Sequence, residues 1–363
     1  VLSRGRVAWQ GPVARFRALS AGVRRLRQEK FDIRIDGDEP LEFFADDVTV
    51  EGANTGFQVH LRTEPGAFAN VYNAVQIATA PVLAAAANSP TFLGKRLWDE
   101  TRIALFRQSV DDRPGAQQDD WRPARVSFGH GWVRRGAHEL FSECVHMHRA
   151  LLPVSGRDSG QELHSNEAPE LAELRLHNGT VWRWNRPVYD PVAGGHLRVE
   201  LRALPAGPTV IDMMANAAFA VGLVHGLAPR IEEHLCRLTF GQARRNFYEA
   251  ARLGPRAELL WPTWVGPSPS LRPAQELVID LLPVARAGLG SIGVQHDECE
   301  RLLGVIERRA MTGRTGSAWQ RRTYDALRAR LGDSSALRAM LGEYLTRSES
   351  DAPVAEWSDV ATG

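Results

Sequence analysis

Leu197-Arg-Val-Glu-Leu-Arg-Ala-Leu-Pro-Ala-Gly-Pro-Thr209 is the stretch that decides the fold of this 363-residue chain. Apolar and polar residues alternate over its first seven positions, which is the pattern of a β-strand with one apolar and one polar face. The polar face carries Arg198, Glu200 and Arg202, so a carboxylate lies between two guanidinium groups. The same pattern fits a half-exposed strand whose polar face is only hydrated.

A second strand of this kind is predicted at Phe57–Arg62, where His60 shares the polar face with Gln58 and Arg62. If both strands belong to one sheet, that sheet combines an imidazole, a carboxylate and arginines on one face. His60 alone fits a structural histidine. Its combination with Glu200 favours a functional site.

Composition limits the partners that we expect. Lys and Arg number 44 against 43 Asp and Glu, so the net charge of +1 argues against a nucleic-acid or membrane partner. All but two of the basic residues are arginines, which suit recognition of carboxylate and phosphate. Three widely spaced cysteines favour a reducing compartment over disulfides or a zinc site. Because we find neither a signal peptide nor a long uninterrupted apolar run, we predict a cytoplasmic protein.

The remaining patterns predict an α+β chain, in which an antiparallel sheet with a polar active-site face packs on helices and C-terminal helices follow. Further strands are predicted at 31–35, 48–51 and 125–132, a hairpin around Asn178-Gly179, and a loop or lid at 154–169. A Pro-rich linker at 254–273 places the domain boundary between 1–265 and 266–363. Thr209 and Asp212 match a capping box. Helices are predicted at 13–26, 71–88 with a kink at Pro81, 97–112, 139–152, 210–228, 232–253, 277–287, 298–311, 319–330 and 336–346.

Two motifs are set aside because their context is wrong. Gly288-Leu-Gly-Ser-Ile-Gly293 matches a dinucleotide-binding sequence, but it follows a helix pattern and lacks the strand that such a site requires. His146 and His148 would point in different directions on either a strand or a helix, which is poor geometry for a shared metal.

Five short segments occur in a fixed order along the chain. They are Thr55-Gly-Phe-Gln-Val-His60, Ala87-Asn-Ser-Pro90, Thr101-Arg-Ile-Ala-Leu-Phe106 with Asp112-Arg113, Val199-Glu-Leu-Arg202 with Gly207-Pro-Thr209, and Gly313-Arg-Thr315. In this order they resemble landmarks of the glutamate–cysteine ligases of the plant and proteobacterial type. The resemblance extends over about residues 15–357 and depends on the common order, since each segment alone is weak.

The resemblance implies a glutamine-synthetase-like catalytic domain and an ATP-dependent carboxylate–amine ligase. Such an enzyme phosphorylates the γ-carboxylate of glutamate, and the amine of cysteine then displaces phosphate, which is the first step of glutathione synthesis. The implied cofactors are ATP and Mg²⁺, and the implied substrates are glutamate and cysteine or another amine. The implied residue roles are metal ligation by His60 and Glu200, catalytic clamping of phosphate or carboxylate by Arg202, Arg102 and Arg113, cofactor binding by Gln58, Asn88 and Arg202, and pocket lining or packing by Trp182 and Trp184.

The N-terminal part departs from the family pattern. The family begins with a strand that carries an E-x-E carboxylate pair, whereas Glu39, Glu42 and Glu51 do not have this spacing, and the sequence starts at Val1. We therefore expect an N-terminally truncated chain with too little negative charge to hold Mg²⁺ well. Two alternatives stay open, namely a γ-glutamyl ligase for another amine and a catalytically silent remnant.

Overall fold

A computed structural model describes residues 14–115, 122–152, 168–262 and 268–359. Helices and short antiparallel strands alternate in these ranges, so the predicted α+β class is confirmed. The helices are α1 Ala14–Arg27, α2 Phe68–Ala86, α3 Thr101–Ser109, α4 Ala137–Met147, α5 Ala172–Asn178, α6 Val210–Leu227, α7 Ile231–Leu235, α8 Phe240–Leu253, α9 Ala274–Ser291, α10 His296–Thr312, α11 Gly316–Leu331 and α12 Asp333–Glu349. The strands are β1 Phe31–Ile35, β2 Leu41–Ala45, β3 Val59–Thr63, β4 Thr91–Phe92, β5 Lys95–Arg96, β6 Asn185–Asp190, β7 His196–Leu201, β8 Glu258–Trp261 and β9 Ser270–Pro273.

Strand β7 is the centre of a three-stranded antiparallel sheet in the order β3-β7-β6. The register places Glu200 opposite both His60 on β3 and Arg186 on β6. On the other face Leu61 and Val199 are buried in the main hydrophobic core, together with residues of α2 and α6. The two predicted strands therefore share one sheet, and its apolar face packs on helices as predicted.

The main core extends through the chain from Leu61 to Ala310, so α9 and α10 pack with the sheet in one hydrophobic cluster. Gly288 of α9 lies so close to the backbone of Gly222 in α6 that a Cβ would clash there. The glycine at 288 is thus explained by close helix packing. The proposed boundary at residue 265 falls outside the described residues, and the division into two domains stays a prediction.

Helix α6 begins as predicted, because the backbone N–H of Asp212 donates to the Thr209 hydroxyl at 3.2 Å. The predicted helix at 232–253 is two helices, and Thr239 caps the second of them by accepting from the N–H of Gln242. The predicted lid at 154–169 lies almost entirely outside the described residues.

Three local predictions are wrong because side-chain hydrogen bonds select another structure. Residues 48–53 form a 3₁₀ helix, since the Asp47 carboxylate accepts from the N–H of Thr49. Asn178 ends helix α5, where its amide donates to the carbonyl of Pro187 at 2.8 Å, so no hairpin forms there. The predicted linker contains the antiparallel pair β8-β9, which Asn246 fixes through two hydrogen bonds to the backbone of Leu260.

The predicted strand at 125–132 is also wrong. The carbonyls of Arg125 and Ser127 accept hydrogen bonds from the N–H groups of Trp182 and Trp184, which holds the segment beside β6 without making it a strand. The Arg125 guanidinium is fully buried and binds the Asp112 carboxylate at 2.7 Å, so this side chain anchors an irregular loop.

One helical stretch among the described residues, Val210–Leu235, is long and apolar enough to cross a membrane by length and composition. Its most apolar window is 61% buried inside the protein, as expected of a core helix. The absence of a membrane partner stays a prediction.

Candidate functional site

A row of three side chains crosses the polar face of the sheet, one from each strand. Arg186 Nε donates to Glu200 Oε2 at 2.6 Å, and His60 Nε2 lies 3.8 Å from Glu200 Oε1. The Glu200 side chain is only 2% exposed, whereas that of His60 is 39% exposed. The antiparallel register therefore brings together His60 and Glu200, which are 140 positions apart in the sequence.

A cavity of about 620 Å³ lies over this face. Gln58 and Trp182 are among its lining residues, and Trp184 is instead buried in the core. The charged groups that line the cavity are the arginines Arg15, Arg175, Arg186, Arg198 and Arg202 and the carboxylates Asp190 and Glu200. Since five guanidinium groups face two carboxylates, the cavity is suited to an anionic ligand.

Arg202 is a cavity arginine whose guanidinium has no hydrogen-bond or ion-pair partner among the described residues. Its backbone N–H continues the sheet by donating to Trp184 O, but its guanidinium makes no hydrogen bond or ion pair with any residue that the structure describes. The guanidinium carbon lies 5.9 Å from the ring centroid of Phe106. Burial, and then the neighbouring Arg186, lower the pKa of Arg202 to about 10, so the group is still charged at neutral pH. An unpaired charge in a partly desolvated position is costly, and an anion that binds there would offset the cost.

The surroundings of His60 favour its neutral imidazole form. Burial lowers its pKa, and the charges of Arg198, Arg186 and Arg202 act in the same direction, while Glu200 opposes them. On the same face, Asp190 is ionised and pairs with Arg198 at 3.1 Å. The pKa of Asp190 is lowered mainly by the hydrogen bond from the backbone N–H of Val192, with a further contribution from Arg198.

Arg102 and Asn88 lie beside the site and are bound by protein groups. Arg102 donates to Glu100 Oε1 at 3.1 Å and to the carbonyl of Ala203, next to Arg202. Asn88 donates to the carbonyl of Ala206 and to the Tyr344 hydroxyl, both at 2.8 Å. These contacts brace the chain that follows β7, and the catalytic role of Arg102 and the cofactor role of Asn88 stay predictions.

Arg113 binds both carboxylate oxygens of Asp111, at 2.9 and 2.7 Å, and the carbonyl of Arg122 at 3.1 Å. It is not among the residues that line the cavity. The structure therefore brings together His60, Glu200, Gln58 and Arg202, and it does not place Arg113 with them. Its predicted contact with substrate stays a prediction.

Sequence reasoning missed Arg186, which is the closest partner of Glu200. No alternation in the sequence marks it, because Trp184, Arg186 and Val188 would share one face of a strand but differ in polarity. Asp190 was missed as well, since its importance depends on the cross-strand position of Arg198.

The described residues do not fit a resident Mg²⁺. They contain no group of three or more His, Cys, Asp or Glu side chains placed to hold a metal. Mg²⁺ prefers several oxygen ligands, and both cavity carboxylates already bind arginines. The assignment of His60 and Glu200 as metal ligands stays a prediction that this charge distribution does not support.

This α+β fold carries an arginine-rich cavity on an antiparallel sheet, which is suited to binding an anionic small molecule. The family model "Glutamate-cysteine ligase family 2 (GCS2)" matches residues 46–339. The chain therefore belongs to glutamate–cysteine ligase family 2, and the sequence-based assignment to this family is confirmed.

The solved structures that are similar to the chain include two ligases. The Pup ligase PafA of the prokaryotic ubiquitin-like modification pathway, in complex with ADP, is 10% identical with a TM-score of 0.40, over 78% of this chain and 52% of that one. The glutamate–cysteine ligase (gshA) of Francisella tularensis, in complex with AMP, is 13% identical with a TM-score of 0.42, over 82% of this chain and 66% of that one. The chain thus spans about half to two-thirds of these structures. Among curated proteins no match was found.

Proposed function

We propose that this protein is an ATP-dependent carboxylate–amine ligase that joins glutamate to cysteine through a γ-glutamyl phosphate. The family membership supports the reaction class. The single observation that carries the proposal in the structure is the unpaired guanidinium of Arg202 at an arginine-lined cavity. An acyl phosphate and its leaving phosphate are anions of the kind that this cavity is suited to bind.

Each side chain of the site has a role in the proposed reaction. Arg202 and Arg186 would bind phosphate oxygens and neutralise the charge that develops as the phosphate leaves. Glu200 orients Arg186 through their 2.6 Å hydrogen bond. The attacking amine must lose a proton, and His60 is the proposed acceptor because it lies next to Glu200, although it is not among the residues that line the cavity.

The identity of the amine that attacks the acyl phosphate is not determined by the residues of the site. The residues on the sheet recognise anions and do not distinguish cysteine from other amines. A γ-glutamyl ligase that uses another amine therefore remains the alternative within the same reaction class. A cytoplasmic location and the absence of nucleic-acid and membrane partners are proposed with it, on the basis of composition.

The test is ADP release from ATP and glutamate in the presence of cysteine, glycine, 2-aminobutyrate or ethylamine. We expect cysteine to stimulate ADP release and Arg202→Gln to reduce the rate by roughly 10²–10³-fold, as for loss of one charge-stabilising donor. Arg330→Gln is the matched control, because Arg330 is exposed on α11 outside the cavity, and it is expected to keep the full rate.

Three outcomes would contradict the proposal in different ways. Stimulation by another amine but not by cysteine would replace glutamate–cysteine ligase with the alternative acceptor. Equal rates for the wild type and Arg202→Gln would remove Arg202 from the reaction. No ADP from any amine, combined with ATP binding in calorimetry, would identify a catalytically silent remnant.

A further inference from the structure

The balance of charge around the cavity points away from a metal centre. Arg186, Arg198 and Arg202 all line the cavity, and the only carboxylates among its described lining residues are Glu200 and Asp190. Arg186 and Arg198 bind these carboxylates at 2.6 and 3.1 Å. A divalent cation would have to displace these guanidinium groups and remain next to Arg202, against electrostatic repulsion.

The three arginines are arranged along one face of the sheet. Arg198 lies on β7 and Arg202 directly follows this strand on the same side of the sheet, so that four extended residues separate their Cα atoms by roughly 13 Å. Arg186 lies between them, on the neighbouring strand opposite Glu200. Such a row of guanidinium groups is suited to an extended anion with several charged oxygens.

The buried donors of two of these arginines lack acceptors. The Nε atoms of Arg198 and Arg202 are shielded from solvent, and neither has a hydrogen-bond partner in the part of the chain that the structure describes. Unsatisfied buried donors are costly, and a ligand with several acceptor oxygens would satisfy them. The carboxylates of Glu200 and Asp190 compete with such a ligand for the same guanidinium groups.

We propose that Arg186, Arg198 and Arg202 form a polyphosphate site that binds its anion directly, without a bridging metal, and that Glu200 and Asp190 limit its affinity instead of ligating a cation. The proposal rests on the proposed function only for the identity of the natural ligand, which would be the phosphate groups of the nucleotide or of the acyl phosphate. The charges that we assign to the site are those of the described residues 14–115, 122–152, 168–262 and 268–359.

The experiment is calorimetric titration of the full chain with inorganic pyrophosphate, once in EDTA and once in excess Mg²⁺. We expect binding in EDTA and weaker binding when Mg²⁺ neutralises part of the pyrophosphate charge. Arg202→Gln should weaken binding at least about 10-fold, the effect expected from a lost charge-assisted hydrogen bond. Arg330→Gln is the control and should leave the Kd unchanged.

Glu200→Gln gives opposite results for the two kinds of site. It keeps the shape of the side chain and removes its charge, so an anion site should bind pyrophosphate about 3–10-fold more tightly, whereas a metal site should lose affinity. Asp190→Asn tests the same idea at the second ion pair and remains informative if Glu200→Gln does not fold.

Binding that requires Mg²⁺, weaker binding in both carboxylate variants, or no binding of pyrophosphate in either buffer would each overturn the proposal. These outcomes are separate from failure of the proposed function. A chain that binds pyrophosphate in EDTA but releases no ADP retains the polyphosphate site and loses the ligase activity. A chain that releases ADP but binds pyrophosphate only with Mg²⁺ retains the ligase activity and contradicts the metal-free polyphosphate site.

Discussion

Arg309 and Arg202 differ in whether the protein supplies hydrogen-bond acceptors for the guanidinium group. Arg309 of α10 is 1% exposed, and its terminal nitrogens bind Asp212 Oδ1 at 2.7 Å and Asn216 Oδ1 at 2.6 Å, as well as two backbone carbonyls. Arg202 beside the cavity has none of these contacts among the described residues. Arg309 is fully buried and has four protein acceptors, although its Nε has none, whereas the half-buried Arg202 has no acceptor among the described residues.

The difference distinguishes a structural charge from one that is kept for a ligand. The Asp212–Arg309 pair joins α6 to α10, and Asp212 also accepts from the N–H of Val354, so this cluster connects three parts of the chain. The guanidinium of Arg202 connects no two elements among the described residues. Its backbone N–H donates to Trp184 O, and its guanidinium lies over the ring of Phe106. Substitutions of the first group should therefore cost stability, and substitutions of the second should cost ligand binding.

The largest effect is expected for Arg309→Met. The substitution leaves the buried Asp212 carboxylate without its partner, which typically costs about 3–5 kcal/mol. Urea denaturation at pH 7 measures the change in the free energy of unfolding. Arg308→Met is the neighbouring control, because Arg308 is half-exposed in its ion pair with Glu356, and it should cost less than about 1 kcal/mol. Equal costs for the two variants would show that Arg309 is not the structural partner of Asp212.

A smaller loss is expected for Arg102→Met, which tests whether Arg102 belongs with Arg309 or with Arg202. Arg102 is 6% exposed and binds the fully buried Glu100, so its removal should cost about 2–4 kcal/mol. Urea denaturation gives the cost, and ADP release well below the midpoint temperature shows whether catalysis is affected separately. A stability within about 0.5 kcal/mol of wild type, combined with loss of activity, would instead assign Arg102 to the reaction.

The sheet was predictable from the sequence because its signals are local and agree with one another. Alternation on β3 and β7 gives the two faces, and the antiparallel register then aligns His60 with Glu200. Most helices were predictable for the same reason. The structures at Val48–Ala53 and at Asn178 were not, since each depends on which backbone group a short polar side chain binds in three dimensions.

The sequence predicted which residue types form the site, but not which arginine forms an ion pair with which carboxylate. The sequence places Arg198 and Arg202 next to Glu200 on one strand, yet the partner of Glu200 is Arg186 from the neighbouring strand. Which arginine remains unpaired depends on this cross-strand choice. For the same reason, the family resemblance implied arginine clamps at positions 102 and 113 without showing that Glu100 and Asp111 bind them.

His148 is a buried histidine that the fold keeps in its neutral form. Burial, and then the charges of Arg125 and Arg183, lower its pKa from 6.5 to about 3. The neutral form is favoured in the folded state, so this stability is fully present above pH 6.5 and is lost as the pH falls toward 3. Between pH 7 and pH 5 the loss should reach about 2 kcal/mol.

His148→Gln removes this titration and leaves the other ionisable groups in place. Between pH 7 and pH 5 the free energy of unfolding, measured in urea, should therefore fall by about 2 kcal/mol more in the wild type than in the variant. Parallel curves would show that His148 titrates alike in the folded and unfolded states.

The smallest effect on stability is expected for Arg202→Gln without ligand, within about 0.5 kcal/mol of wild type or slightly stabilising, because the variant loses a charge that has no partner. The effect on ligand-dependent stability should be much larger. At a pyrophosphate concentration of 100 times the Kd, the wild type should gain about 2.7 kcal/mol, and the variant should gain little at that same concentration. Thermal unfolding with and without pyrophosphate measures both quantities. A loss of several kcal/mol in the unliganded variant would place Arg202 with Arg309 as a structural residue, and the distinction between the two arginines would then no longer hold.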